Sequence, residues 1–192
     1  MNLFPKYFFD NVLNLPNLIS TFRLLLSIPL FISFQYLDTT PNIRYAILLL
    51  ILIAFFSDFL DGYIARKKNL VTEFGKIIDP LADKIFIFIL VFQLFMKGEI
   101  VSIYFWIIFL RDVIIFIGGI FVSKKLGKVL PSNLLGKITV LSIGIFLFMT
   151  VLGVSKIFWL YKIFFYLSIT LSILSVIGYS LRAYEAIKRV AK

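Results

Sequence analysis

Half of the chain's 10 carboxylates, Asp58, Asp61, Glu73, Asp79 and Asp83, fall in one window of 26 residues, while 61% of all positions are hydrophobic. Asp58 and Asp61 are three apart and Asp79 and Asp83 four apart, so on helices each pair shares a face. With a short loop between the helices, the two pairs can face each other as a four-carboxylate cluster just inside a membrane boundary. Four anions with limited hydration repel and would take up protons unless cations balance them. A divalent metal is the natural balance. Oxygen donors without imidazole or thiolate favour a hard ion, Mg²⁺ or Mn²⁺, and four carboxylates are enough for two ions. Gly62 and Arg66 form a neighbouring stripe, in which the glycine lets a ligand approach the backbone and the guanidinium offers a fork suited to phosphate. The small Ala65 keeps the space beside Asp58 and Asp61 open. Together these residues describe a site for a phosphate-bearing substrate on metal. Any one of them alone is accounted for by a solvated helix end or a membrane-flanking cation; the ensemble is not.

The elements that must position these residues are membrane helices. A soluble domain is about 45–50% apolar, and this chain of 192 residues, with 23 Phe, far exceeds that. Apolar runs predict six spans, at Asn17 to Leu37, Ile43 to Ala65, Leu81 to Met96, Val101 to Val122, Leu134 to Val154 and Phe158 to Leu181. The expected fold is all-α and polytopic, with the breaks at Asp38 to Pro41, Lys67 to Asn69, Lys97 to Glu99, Lys124 to Pro131 and Gly153 to Lys156. Residues 1–16 read as an amphipathic interfacial segment and 17–192 as one six-helix domain. Met1 to Leu15 mixes Lys6, Asp10, Asn11 and Asn14 among its apolar residues and offers no small-residue cleavage site, so the N-terminus is expected to be retained. Cys and His are both absent, which excludes disulfides, thiolate nucleophiles, Cys/His zinc sites and imidazole acid–base chemistry.

The net charge of +10 fits topology better than nucleic acid. Assigned to alternate sides, Lys6, Arg66, Lys67, Lys68, Lys76, Lys124, Lys125, Lys128, Lys137, Arg182, Lys188, Arg189 and Lys192 oppose only Arg44, Lys97, Lys156 and Lys162. That asymmetry places both termini in the cytoplasm of a cell whose inner membrane holds the protein. Arg23, Lys84 and Arg111 remain within or at the edges of spans, where ionisable groups are costly; snorkelling explains Arg23 and Lys84, which are nearest the ends. Arg111, with Asp112 beside it, reads either as an internal ion pair or as an anchor for a substrate phosphate. Lys137 and Arg182 read as flanking cations or as further contacts to that phosphate.

From Asp58 to Asp83 the chain fits D-x2-D-G-x2-A-R-x8-G-x3-D-x3-D at every fixed position. Eight identities at fixed spacing arise by chance at roughly one in 10¹⁰ per start on equal residue frequencies, which makes this a specific motif. It resembles the signature of the CDP-alcohol phosphatidyltransferases, which move a phosphatidyl group from CDP-diacylglycerol to an alcohol. The resemblance implies six helices with a polar cavity opening to the cytoplasm, a homodimer, and Asp58, Asp61, Asp79 and Asp83 as ligands of two metal ions, with Asp83 also the general base. It implies contacts to CDP-diacylglycerol from Asn17, Gly62, Ala65, Arg66 and Thr72, with Gly75 permitting close packing beside it. For the homodimer, the third and fourth helices offer apolar faces, with Gly118 and Gly119 allowing close approach.

Leu15 to Arg23 is similar to the opening of the phosphatidylglycerophosphate synthases of this family, with Ser20 where those often carry Thr. This implies glycerol 3-phosphate as the acceptor. Pro131 to Thr139 also resembles cardiolipin synthases, whose acceptor is phosphatidylglycerol. A divalent-cation transporter would explain the carboxylates alone, but it would place them near mid-bilayer in broken helices rather than at helix ends.

Overall fold

The structure is a computed structural model of the chain and describes residues 14–68, 75–126 and 133–190. Six helices account for most of them: α1 (Leu15–Gln35), α2 (Ile43–Lys68), α3 (Gly75–Met96), α4 (Ser102–Leu126), α5 (Leu134–Val151) and α6 (Trp159–Val190). Local chemistry fixes their ends. The Asn14 side chain accepts the Asn17 N–H at 2.9 Å, and Pro16 sits in the first turn, where its missing N–H costs nothing. Leu15 and Pro16, expected in the interfacial segment, are therefore the first turn of α1; residues 1–13 of that segment lie outside the described residues. Asn133 caps α5 in the same way, accepting the Gly136 N–H at 2.8 Å. Asn42 enters α2 at φ 64°, and Gly98 and Gly153 leave α3 and α5 at φ 67° and 74°. These are left-handed conformations that glycine adopts freely and asparagine tolerates.

Five of the six helices contain stretches long and apolar enough to cross a membrane: Leu15–Gln35, Ile43–Ile64, Ser102–Lys125, Leu134–Val151 and Trp159–Lys188. The chain is an integral membrane protein. α3 differs from the expected span at Leu81 to Met96: it begins at Gly75 and carries Lys76, Asp79, Asp83 and Lys84 in its first half. Its 22 residues give about 33 Å of helix, so charge rather than length sets it apart.

The chain divides into two compact units, Met1–Leu94 and Phe95–Lys192. In the first, α1 and α2 pack side by side. The first half of α1 is polar inside and apolar outside, with Asn17, Ser20, Arg23 and Ser27 buried while Leu18, Phe22 and Leu25 are exposed; further on the buried face is apolar, with Leu26, Leu30 and Phe34. That inversion suits a lipid-facing helix whose polar groups turn to the bundle interior. Side chains tie α3 to α1 at three levels, Ser20 to Asp79, Arg23 to Asp83, and Gln93 Nε2 to the Phe31 carbonyl at 3.3 Å. Both numbers of each pair rise together, so the two helices run parallel, as first and third spans must.

In the second unit α6 packs against both α4 and α5. The Tyr104 hydroxyl meets Ser168 Oγ at 3.1 Å, and Arg111 Nε donates to Ser175 Oγ at 3.3 Å. The two contacts are seven residues apart on each helix, so α4 and α6 run parallel and in register. Thr139 Oγ1 donates to the Leu171 carbonyl at 3.2 Å and Thr150 Oγ1 meets the Tyr161 hydroxyl at 3.4 Å, an antiparallel order for α5 and α6. Tyr179 of α6 stands against Gly118 and Gly119, where an added Cβ at Gly119 would lie 3.2 Å from its hydroxyl. These glycines thus allow a close approach of α6 within the chain. Every buried side-chain nitrogen and oxygen among the described residues has a hydrogen-bond partner.

Candidate active site

The first unit brings the four aspartates to two residues of α1. Asp58 and Asp61 stand one turn apart on α2, and Asp79 and Asp83 one turn apart on α3. Arg23 enters between them, 2% exposed. One of its terminal nitrogens pairs with Asp83 and, at 3.2 Å, with Asp58 Oδ1; the other pairs with Asp61 Oδ2. Its Nε donates to Ser57 Oγ at 3.2 Å, and Ser57 in turn donates to the Ala54 carbonyl at 2.7 Å. The guanidinium is thus held along its whole edge.

Ser20, one turn earlier on the same face of α1, completes the set. Its Oγ lies 3.1 Å from Asp61 Oδ2, against Asp79 Oδ1, and 3.1 Å from the Pro16 carbonyl. A hydroxyl has one proton to donate, and ionised carboxylates have none. Ser20, Asp61 and Asp79 therefore form an oxygen-rich point, at which Asp61 Oδ2 also accepts from Arg23. Exposure grades the cluster from surface to interior, with the Asp58 side chain 55% exposed, Asp83 36% and Asp61 5%.

The donors suit a hard divalent ion: carboxylate oxygens from two helices, a hydroxyl, and an oxygen cluster short of positive charge. As the side chains stand, no group of three acidic residues among the described residues is arranged to hold an ion. The Arg23 guanidinium stands among Asp58, Asp61 and Asp83.

Snorkelling does not describe Arg23. It points inward and is the centre of the site, and with Ser20 it is what the carboxylate spacing leaves out. A signal was present in the sequence: Asn17, Ser20, Arg23 and Ser27 recur at three, three and four residues, a polar stripe on one face of an otherwise apolar helix.

Of the other expected site residues, Asn17 is buried in the first turn of α1 and Gly62 is half-buried beside Asp61. Ala65, Arg66 and Gly75 take their expected helical positions at the end of α2 and the start of α3, and their side-chain surroundings are outside the description; Thr72 lies outside the described residues. Arg111 is in the second unit, 7% exposed, paired with Asp112 at 2.5 Å and bonded to Ser175, which realises the internal ion pair. Lys137 is exposed on the first turn of α5, and Arg182 is half-buried on α6.

Paired aspartates on two helices around a buried arginine and serine describe a membrane protein with a carboxylate site, and comparison with known proteins gives its class. The family model for CDP-alcohol phosphatidyltransferase matches residues 13–174, and the chain belongs to that family. It is 36% identical over 187 residues to a protein of Aquifex aeolicus, covering 91% of this chain and 98% of the relative. A Bacillus subtilis protein is 34% identical over 136 residues, covering 65% of this chain and 69% of the relative. A Rickettsia bellii protein is 39% identical over 102 residues, covering 53% of this chain and 55% of the relative. All three relatives are named CDP-diacylglycerol--glycerol-3-phosphate 3-phosphatidyltransferase.

Proposed function

We propose that this chain transfers the phosphatidyl group of CDP-diacylglycerol to glycerol 3-phosphate, giving phosphatidylglycerophosphate and CMP. The observation that carries the reading is the convergence of Asp58, Asp61, Asp79 and Asp83 on two buried residues of α1, Arg23 and Ser20. The name of the Aquifex aeolicus relative, which matches nearly the full chain, supports the choice of acceptor. Asp58, Asp61, Asp79 and Asp83 would hold two Mg²⁺ or Mn²⁺ ions, which when bound supply charge neutralisation at the diphosphate. Arg66 forks onto the diphosphate, and Gly62 and Ala65 leave room for the nucleotide against α2. Asn17, Thr72 and Gly75 complete the contacts to CDP-diacylglycerol. Arg111, Lys137 and Arg182 receive the phosphate of the acceptor. Its primary hydroxyl attacks the phosphatidyl phosphorus, the bond to the CMP oxygen breaks, and Asp83 takes the hydroxyl proton.

The same reading assigns six spans to the inner membrane, with both termini and the polar cavity facing the cytoplasm, and two copies assembled as a homodimer. A site at helix ends lets one lipid keep its tails in hydrocarbon and its nucleotide in water. Incubating purified protein with CDP-diacylglycerol, Mg²⁺ or Mn²⁺, and either glycerol 3-phosphate or phosphatidylglycerol tests this through the lipid products. Phosphatidylglycerophosphate and CMP are expected. Cardiolipin made only from phosphatidylglycerol would transfer the reading to the other acceptor, and no transfer to either would end it.

A further inference from the structure

The guanidinium of Arg23 touches carboxylate oxygens that a bound ion would also need. Asp61 Oδ2 and Asp83 Oδ1 both accept from it, and Asp58 Oδ1 lies 3.2 Å away. Mg²⁺ takes its oxygen ligands at about 2.0–2.1 Å in near-octahedral order, which leaves no place for a planar cation on the same lone pairs. Nor can a guanidinium and a divalent ion share carboxylates without repelling each other at contact distance. Without any cation, however, carboxylates crowded around a nearly dry point would repel, and the α2 and α3 ends that carry them would separate. Arg23 is placed to prevent that. It comes from a third helix, is 2% exposed, and is fixed from behind by Ser57, so its position does not depend on a ligand.

We infer that Arg23 is a resident counter-cation that holds Asp58, Asp61 and Asp83 together in the metal-free protein and competes with divalent ions for the same oxygens. This rests on the metal reading above and goes further, because it gives this chain a residue that sets how tightly the ion is held. Arg23 is a positioning residue. An ion that takes those oxygens displaces its fork from at least one aspartate, and Ser57 provides the acceptor on which Nε can remain. The protein so built keeps its helices assembled while empty, and it weakens its own hold on the ion.

The test is equilibrium Mn²⁺ binding to the purified full chain, read from the electron-spin signal of free Mn²⁺, with thermal unfolding in chelator and in saturating Mn²⁺. Arg23→Gln should bind Mn²⁺ at least about tenfold more tightly, equivalent to about 1.4 kcal/mol. It should unfold at lower temperature than the parent in chelator, with the gap narrowing in Mn²⁺. Arg23→Lys retains a charge but cannot span three carboxylates, so its affinity should fall between the two. If Arg23→Gln does not fold, Arg23→Lys must still bind Mn²⁺ more tightly than the parent. Unchanged or weaker Mn²⁺ binding in the variants, beside a parent that binds the ion, overturns the competition while leaving the metal reading intact. A parent chain that binds no Mn²⁺ overturns the metal reading and this inference with it.

Discussion

A guanidinium shared by three carboxylates makes substitutions at those carboxylates unequal. Asp→Asn at Asp58, Asp61 or Asp79 removes charge and one strong ligand oxygen and should abolish most turnover, as should chelation; full activity in chelator would refute the metal assignment. Stability should separate the same variants. The Asp61 side chain is 5% exposed and answers both Arg23 and Ser20, whereas that of Asp58 is 55% exposed and answers Arg23 from 3.2 Å. Asp61→Asn should therefore lower the unfolding temperature in chelator more than Asp58→Asn, as thermal scans in detergent would read. Asp83→Asn should keep more CDP-diacylglycerol binding than turnover if accepting the proton dominates its role, and equal loss of both would leave that role without support. Arg66→Lys should raise the requirement for CDP-diacylglycerol while preserving insertion, because a point charge does not replace a fork. The aspartates were legible because their spacing selects one helix face among residues that hydrocarbon excludes. Arg23 was not, because a lone cation near a helix end is satisfied equally by the interface or by a partner distant in sequence. The polar stripe it shares with Asn17, Ser20 and Ser27 favours a partner, and its three-dimensional contacts identify which.

At the scale of elements, the helices were legible where apolar runs coincide with helical geometry and less so where function interrupts them. α3 starts at Gly75 rather than Leu81 because helix geometry tolerates Lys76 and Asp79 although an apolar run does not. α6 continues to Val190, past the apolar stretch ending at Leu181, for the same reason. The pairing of α4 with α6 was hidden. It is marked by Ser168, Ser172 and Ser175, all buried, at spacings of four and three. Small hydroxyls of this kind let membrane helices approach and bond across the interface. Ser168 Oγ donates to the Phe165 carbonyl at 2.9 Å and so accepts from Tyr104. Ser168→Ala should destabilise the protein, and Tyr104→Phe should cost less in that background than in the parent. A double-mutant cycle of unfolding energies should give a coupling near the membrane-protein average of about 0.6 kcal/mol. Strict additivity would show that the hydroxyl pair contributes nothing to helix association. Asn133 also acquires a structural account here: as the cap of α5, with Gly136 close beneath its side chain, it explains part of the segment that resembles cardiolipin synthases without reference to an acceptor.

For the whole molecule, the asymmetry of thirteen cations against four predicts a topology that cysteine labelling can test directly, since the chain has no native Cys. Single cysteines at Asn69, Lys125 and Lys192 should label only from the cytoplasm, and those at Thr40, Gly98 and Ser155 only from outside. Labelling of Asn69 from outside would invert the arrangement and put the aspartates on the wrong side for a cytoplasmic nucleotide lipid. The acceptor is decided at the same scale, by charge and size. Glycerol 3-phosphate brings a small dianionic phosphate, whereas phosphatidylglycerol brings a monoanionic phosphodiester with its own tails. A buried arginine is easier to justify for the first, but Arg111 already spends one terminal nitrogen on Asp112 and its Nε on Ser175. Any phosphate it receives must therefore be bound beside an existing ion pair. Arg111→Ala should raise the apparent requirement for glycerol 3-phosphate more than that for CDP-diacylglycerol, in initial rates measured with each substrate varied. Equal increases would return Arg111 to a purely internal pair and leave Lys137 and Arg182 to receive the phosphate. Arg111→Lys separates the two roles further, because a lysine can neutralise Asp112 but lacks the fork that serves Ser175 and a phosphate together. Its stability should exceed that of Arg111→Ala while the glycerol 3-phosphate requirement stays raised.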